Sequence, residues 1–407
     1  MKKACISLFF ALLCLSLQAQ SNGENIRKKL QGQFIMAQPG DTIDIPEGKF
    51  ISDGTISLEG KSNLVIRGKG VDKTFISFKK QAEGAEGISI ANCKNIVITG
   101  FTIQDAKGDG LKVKDTDGIS MVDMRVEWTG KASPKNGAYG FYPVSSANIL
   151  IERCEAIGAS DAGIYVGQSE NIIVRNSRAY HNVAGIEIEN STNADVHDCE
   201  AYMNTGGILV FDLPDLPKKK GGQVRVYNNN VHENNYKNFA PKGNTVATVP
   251  PGTGVMVLAT SHVEIFDNQI RSNRTAGTAI ISYFMTQVPI KDKAYYPYPT
   301  NVFIHNNTYF REKVSPTLKN PIGRLLYLKF KKNVPDILFD GILDKETVNA
   351  DGNFREEYRI CIRDNGNATF ATLDAENNFK NISTDLKPYD CACKAIAAPS
   401  LRTSVNQ

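Results

Sequence analysis

Between Gly163 and Val210 one pattern of apolar and polar positions is written three times: GIYVGQSENIIV, GIEIENSTNADV and GGILVFDLPDLP. In each copy a glycine opens a stretch in which apolar and polar residues alternate, the period of a half-buried strand. In the first two an asparagine follows eight residues on (Gly163 to Asn171, Gly185 to Asn193) and begins a second alternating stretch.

The pattern extends well beyond these three copies. The glycine recurs at Gly87, Gly110, Gly140, Gly163, Gly185, Gly207, Gly254 and Gly277, with gaps of 23, 30, 23, 22, 22, 47 and 23 residues, so the base period is 22 to 23. A second column holds Asn95, Gly118, Asn148, Asn171, Asn193, Gln223, His262 and Asn301. A third falls six residues after each of these: Phe101, Met124, Cys154, Ser177, Cys199, Asn229, Asn268 and Asn307. A repeat of this length is the signature of a solenoid, propeller or array.

Three short strands in about 22 residues leave no room for a helix, so each repeat reads as one coil of an all-β, right-handed parallel β-helix. Equivalent residues then stack about 4.8 Å apart, the ordinary spacing of paired strands. Ile164 and Val166, Ile186 and Ile188, Ile208 and Val210, and Val255 and Val257 point inward, and the residues between them point out.

The chain ends differ from this pattern. Lys2 and Lys3 precede the apolar run ISLFFALLCLSL and then QAQ, which reads as a secretory signal peptide over residues 1–19. An exported protein, periplasmic or extracellular, is expected; Leu13 before Cys14 argues against a lipoprotein site. Ile26, Leu30 and Phe34 form a helical stripe at intervals of four, a helix suited to cover the open end of the first coil. The β-helix is expected over residues 20–310, with 311–407 a β-rich C-terminal cap.

Charge and cysteines narrow the class. Loss of Lys2 and Lys3 takes the formal charge from +4 to +2, which argues for neither nucleic acid nor an anionic membrane surface. No integral membrane segment is expected in the mature chain. Six cysteines follow the leader: Cys93, Cys154, Cys199, Cys361, Cys391 and Cys393. Cys154 and Cys199 lie two coils apart in one column, too far for a disulfide, and read as buried thiols; Cys361 with Cys391 or Cys393 is the expected bridge. The sequence holds no haem or nucleotide motif, and CxC by itself is a weak metal signal.

Insertions in a solenoid mark the face on which function is carried. Residues Glu127 to Tyr139 and His232 to Thr253 precede a glycine-led strand, while Asp212 to Gly222 and Met285 to Thr300 follow one. These four insertions predict walls on both sides of a groove whose floor is the outward face of the glycine-led strands. That floor carries Lys112 and Lys114, Tyr142 and Val144, Tyr165 and Gly167, Glu187 and Glu189, Leu209 and Phe211, and Met256 and Leu258. Beside it runs a polar column of Asp115, Ser145, Gln168, Asn190 and Asp212.

The floor yields the candidate chemistry. Glu187 and Glu189, at i and i+2, have Cα atoms about 6.5 Å apart along a strand, a separation open to paired acid and base work on a glycosidic bond. Asp161, Tyr165 and His181 join them as catalytic candidates, with Lys112, Tyr142, Gln168, Asn190, Phe211 and Asp212 as substrate-binding candidates. Plainer roles stand beside these: an aromatic ladder for Tyr142 and Tyr165, a solvated face for the two glutamates. A uronate substrate would ask for a charge neutraliser, a base and an acid, parts that fit Lys112, His181 and Tyr165.

The segments NGAYGFYPV, SDAGIYVGQS, NVAGIEIENS, NTGGILVFDLPDL, NNYKNFAPKGN and VPPGTGVMV resemble a family of exported bacterial parallel β-helix repeat proteins. The resemblance covers about residues 33 to 310. It implies the pectin-lyase-like superfold, shared with pectate lyases, alginate lyases and mannuronan epimerases, and no established activity. It also implies a conceivable protein partner, since such chains are often encoded beside an exported haem protein. The chain lacks the GHG turn of polygalacturonase-like sites, and its floor lacks the arginine of pectate-lyase-like sites, although a bound Ca²⁺ stays open. Binding, with cleavage or epimerisation, of an extended and uronic-acid-containing polysaccharide is expected; the alternative is a non-enzymatic envelope module that takes a protein in the same groove.

Overall fold

The computed structural model describes residues 23–350 and 354–402. The leader expected over residues 1–19 lies outside the described residues. Among those described, the strands form three parallel sheets of 11, 10 and 11 strands, and the chain visits the three in turn once per coil. Apart from one shift between Gly54 and Ile56 in the entry coils, the described strands stack in register with the equivalent strand of the next coil: Ile164 lies beside Ile186, Ile186 beside Ile208, and Ile208 beside Val255. The inward residues form one continuous apolar core. No helix among the described residues is long and apolar enough to cross a membrane.

The columns of the sequence correspond to fixed positions in this winding. All eight members of the second column, from Asn95 to Asn301, have positive φ, between 52° and 83°. A left-handed residue is what bends the chain from one sheet into the next, and Asn and Gly tolerate it best. The glycine column has a different cause. A Cβ on Gly185 would stand 2.6 Å from the Gly207 carbonyl oxygen and 2.8 Å from Asn204 Nδ2, so the strand has no room for one.

What occupies that space is a buried ladder of amides. Asn182, Asn204, Asn234 and Asn273 are each at most 3% exposed. The backbone N–H of Asn182 donates to Asn204 Oδ1 (2.9 Å), that of Asn204 to Asn234 Oδ1 (3.1 Å), and that of Asn234 to Asn273 Oδ1 (3.0 Å). Asn229, Asn268, Asn307 and Asn365 repeat the arrangement at a second corner, and Thr116, Ser146, Ser169 and Ser191 do so with hydroxyls at the third. Each corner has backbone N–H groups that the sheets leave unpaired, and a buried N–H must find an acceptor.

Both ends of the rod are covered. Helix α1 (Arg27–Met36) buries Leu30 and Phe34 in the main core together with Ile26 just before it. At the other end, residues beyond 310 do more than cap. Ile337–Phe339 and Phe370–Thr372 extend the glycine-led sheet, and Ile360–Arg363 extends a second one. Helix α2 (Pro321–Phe330) precedes them in the chain. Cys361 is bonded to Cys391, leaving Cys393 as a free thiol with Cys93, Cys154 and Cys199. The segment after Cys391 then returns along the rod, its Ile396 N–H donating to Glu264 Oε2 (3.0 Å) and its Arg402 N–H to Asn148 Oδ1 (3.1 Å).

Replacing Asn204 by alanine leaves the Asn182 N–H and the Ala179 carbonyl without their partners, which bond to Asn204 at 2.9 Å and 2.9 Å. A loss on the order of 3 kcal/mol is expected, read as a lowered thermal midpoint. A midpoint within experimental scatter of the parent protein would show that the ladder does not hold the corner.

Candidate active site

The outward face of the glycine-led sheet is a graded surface. Along one row of facing positions stand Lys112, Tyr142, Tyr165, Glu187, Leu209 and Met256; along the next stand Gly167, Glu189, Phe211 and Leu258. The first coils are polar, the middle acidic and the later coils apolar. An apolar row of strands facing water is costly, and here it is covered. Val246 and Val249 of the long insertion, Leu326 of α2, and Leu338 and Leu373 pack with Tyr165, Leu209, Phe211, Met256 and Leu258 into a second apolar cluster. A cavity of about 80 Å³ remains between α2, this insertion and the sheet.

This covering corrects the expected open groove. Tyr165 is 4% exposed, Glu187 1%, Asp161 5% and Phe211 1%, so no channel runs along the sheet for a saccharide or a protein segment. The insertion expected to form a wall lies across the floor instead, and Asn244 within it donates from Nδ2 to Asp161 Oδ2 at 2.9 Å. The apolar residues Leu209, Phe211, Met256 and Leu258 required such a lid, because bare they would face solvent.

Beneath the edge of the lid the structure gathers carboxylates. Asp109, Asp161, Glu187 and Glu189 lie with Tyr139, Tyr142 and Tyr165, whose ring centroids are 4.5, 4.5 and 5.1 Å apart in pairs. The Tyr165 hydroxyl donates to Glu189 Oε1 at 2.6 Å. Glu187 Oε2 is buried with no hydrogen-bond partner. Among the described residues none of Asp161, Glu187 and Glu189 has an ion pair; Lys112, at the margin, pairs with Glu86 (3.1 Å) and approaches Asp109 (3.9 Å) and the Tyr142 ring (5.4 Å). The side chains of Lys112 and Glu86 are each 27% exposed, so this margin is where the cluster meets solvent.

Burial without countercharge raises the proton affinity of these groups. Burial first, then the charges of Asp161 and Glu189, holds the Glu187 carboxyl well above the usual range. Burial pushes Asp161 up to about 7 against the Asn244 hydrogen bond. Glu189 is raised to about 6 by burial, opposed by the Tyr165 hydroxyl, and Asp109 to about 6 by burial, opposed by Lys112. Tyr165 and Tyr139, raised by burial and then by nearby carboxylates, stay neutral. The arrangement can therefore hold and pass protons between carboxyl groups near neutral pH.

The other sequence candidates separate from this cluster. His181 lies with its ring against Tyr180 (5.6 Å) and Tyr236 (5.8 Å), at the turn into its strand, and takes no part in it. Asn190 is 1% exposed and acts as a clamp: its Nδ2 donates to the Leu213 and Lys218 carbonyls, and its Oδ1 accepts from the Leu213 N–H. Gln168 lines an open depression with Asp115, Ser145, Glu170 and Lys218. Asp212, raised to about 7 by burial, opens into a different pocket.

Asp109, Tyr139, Glu86 and Asn244 were missed. Asp109 and Tyr139 each stand one place before a column glycine, a position that strict alternation would turn inward, so the pattern gave no signal for them; Asn244 lies in an insertion, where no period exists to flag it. Among the described residues no three His, Cys, Asp or Glu side chains are arranged to hold a metal ion.

A family model described as a right handed beta helix region matches residues 86–240. Among curated proteins none matches the sequence. Of solved structures, the chain is similar to the A-module of the mannuronan C-5 epimerase AlgE4 of Azotobacter vinelandii, at 16% identity over 78% of this chain and 90% of that one, with a TM-score of 0.45. It is similar to an alginate lyase from Paenibacillus sp. strain FPU-7, at 13% identity over 72% and 97%, with a TM-score of 0.45. It is also similar to the catalytic unit of a GH87 α-1,3-glucanase from Streptomyces thermodiastaticus, at 14% identity over 79% and 48%, with a TM-score of 0.46. The described fold is a right-handed parallel β-helix.

The raised carboxyl groups fix the sign of a pH dependence. Asp109, Asp161 and Glu189 keep protons in the folded state up to about 6, 7 and 6, whereas an unfolded chain releases them near 4. The folded state then binds more protons across that window, so their contribution makes stability fall as pH rises from about 4 to 7 and level above it. Asp161→Asn and Glu187→Gln, which remove the charge and keep the shape, are expected to raise the thermal midpoint at pH 8 more than at pH 4.5. A gain that is equal at both pH values would contradict the assignment.

Proposed function

We propose that this chain binds and chemically transforms a saccharide at the acidic cluster under the edge of the lid, by acid and base catalysis. The observation that carries this reading is Glu187: a carboxyl 1% exposed, with a buried oxygen lacking any partner, set among like-charged groups. Folding gains nothing from such an arrangement, since a buried carboxyl without a partner costs stability, and strongly perturbed carboxyl groups gather where proton transfer is needed. Protonated Glu187 serves as the acid toward a glycosidic oxygen, and Glu189, oriented by Tyr165, as the base or nucleophile. Lys112 at the margin supplies a positive charge for a uronate carboxylate.

The closed sheet refines the expected substrate geometry. Residues 238–249 and α2 block the later coils, so a glycan reaches the cluster from the side of Glu86, Asp109, Lys112 and Tyr142. That geometry favours a chain end over the middle of a long polymer. Export, a polysaccharide rather than a short oligosaccharide, and a bound Ca²⁺ belong to this reading as further proposals.

Incubation with a panel of uronic-acid and neutral glycans, followed for unsaturated products and new reducing ends, tests it. Single sugars or disaccharides are expected to accumulate before any drop in polymer length. Glu187→Gln is expected to lower the rate by about 10²–10⁴-fold. No turnover of any glycan in the panel, or a Glu187→Gln variant as fast as the parent, would remove the reading.

A further inference from the structure

Asp212 is left unused by the acidic cluster. It is 3% exposed, its Oδ1 accepts the Gly221 N–H at 3.2 Å, and its Oδ2 accepts from no described group. Glu189 stands one coil away beside Phe211, and its charge adds to the burial that raises Asp212. On its other side lies a separate depression of about 400 Å³, lined among others by Lys220, His262, Tyr296, Thr300 and Tyr358. That volume falls within the range of about 300–1,000 Å³ usual for small-molecule sites.

The pocket is built from three parts of the chain. The insertion after Phe211 brings Asp212 and Lys220, the insertion after Met285 brings Tyr296, and the C-terminal region brings Tyr358. Its walls are fixed without a ligand. The Tyr295 hydroxyl donates to the Asp212 carbonyl oxygen at 2.5 Å, Tyr296 donates to Asp344 at 2.9 Å, and Ser261 and Thr300 share a hydrogen bond of 2.8 Å. Among the described residues, Lys220 has no ion pair and the His262 ring no hydrogen bond. A preformed concavity thus presents a lone acceptor from Asp212, a free ammonium from Lys220, a free imidazole and tyrosine rings. This set suits a ring bearing hydroxyl groups and one anionic group: hydroxyls donate to Asp212, the anion meets Lys220, and the apolar face of the ring meets a tyrosine.

We infer that this pocket is a second ligand site, distinct from the acidic cluster, that takes one or two sugar units carrying a carboxylate. Its occupant would hold the chain against a uronate-containing glycan independently of any chemistry at Glu187.

Calorimetric titration of the full chain with mono- to tetrasaccharides of galacturonate, glucuronate and mannuronate tests the inference, with glucose oligomers of equal length and inorganic phosphate as comparison arms. At least one uronate series is expected to bind, at least tenfold tighter than its neutral counterpart. Lys220→Ala, an exposed change that leaves folding unaffected, and Asp212→Asn are each expected to weaken it at least tenfold, while Glu187→Gln still binds. Equal affinity for uronates and neutral sugars, unchanged affinity in both pocket variants, a response to phosphate alone, or no binding at all would each overturn the second site. Uronate binding that depends on Lys220 in a protein without turnover would instead uphold this site and remove the proposed chemistry at Glu187.

Discussion

The register between successive coils is the constraint on which the rest of the molecule depends. A parallel β-helix has few local contacts; each residue is held by its equivalent one coil away, at the spacing of paired strands. The apolar interior does not by itself set that register, because a slip by two positions would keep Ile, Val and Leu inward, even though a slip by one would turn them out. Buried amides do. Asn204 accepts from the Asn182 backbone and donates to the Ala179 carbonyl, and a slip by one position would leave all of these groups unpaired in an apolar medium. The glycine column belongs to the same device, since only a residue without Cβ leaves Gly185 room beside Asn204 and the Gly207 carbonyl.

Registered stacking also explains why the outward face carries a gradient of chemistry. A solenoid places side chains in rows, and any row can be written separately from the core beneath it. Here one row passes from Lys112 through two tyrosines and Glu187 to Leu209 and Met256. Its apolar end demanded a cover, and the cover excludes water from the acidic middle. The same lid that stabilises Phe211 and Leu258 by burial therefore raises the proton affinity of Glu187, Glu189 and Asp161. Packing and electrostatics at this site are one effect seen from two sides: the energy gained by covering the leucines sustains the cost of desolvating the carboxyls.

The insertions divide this face into compartments. Residues 238–249 close the acidic cluster from above, while the clamp of Asn190 on Leu213 and Lys218 holds the loop after Phe211 as a ridge. On one side of that ridge lies the depression with Gln168, and on the other the pocket with Asp212. Two concavities thus flank one ridge of the same sheet edge.

The sequence by itself determined the winding, the inward residues and the strand face that carries the acidic residues, because stacking repeats one environment every 22 to 23 residues and writes it as a period. It determined, too, that Tyr165, Glu187 and Glu189 share a face, since alternation along a strand has no other outcome. Only the tertiary structure decided whether that face was open. The path of an insertion carries no period, so neither the descent of Val246 and Val249 onto the floor, nor the reach of Asn244 to Asp161, nor the choice of Cys391 over Cys393 was written locally. His181 shows the same limit from the other direction: its distance along the chain placed it near the glutamates, but the left-handed turn it occupies directs the ring toward Tyr180 and Tyr236 instead.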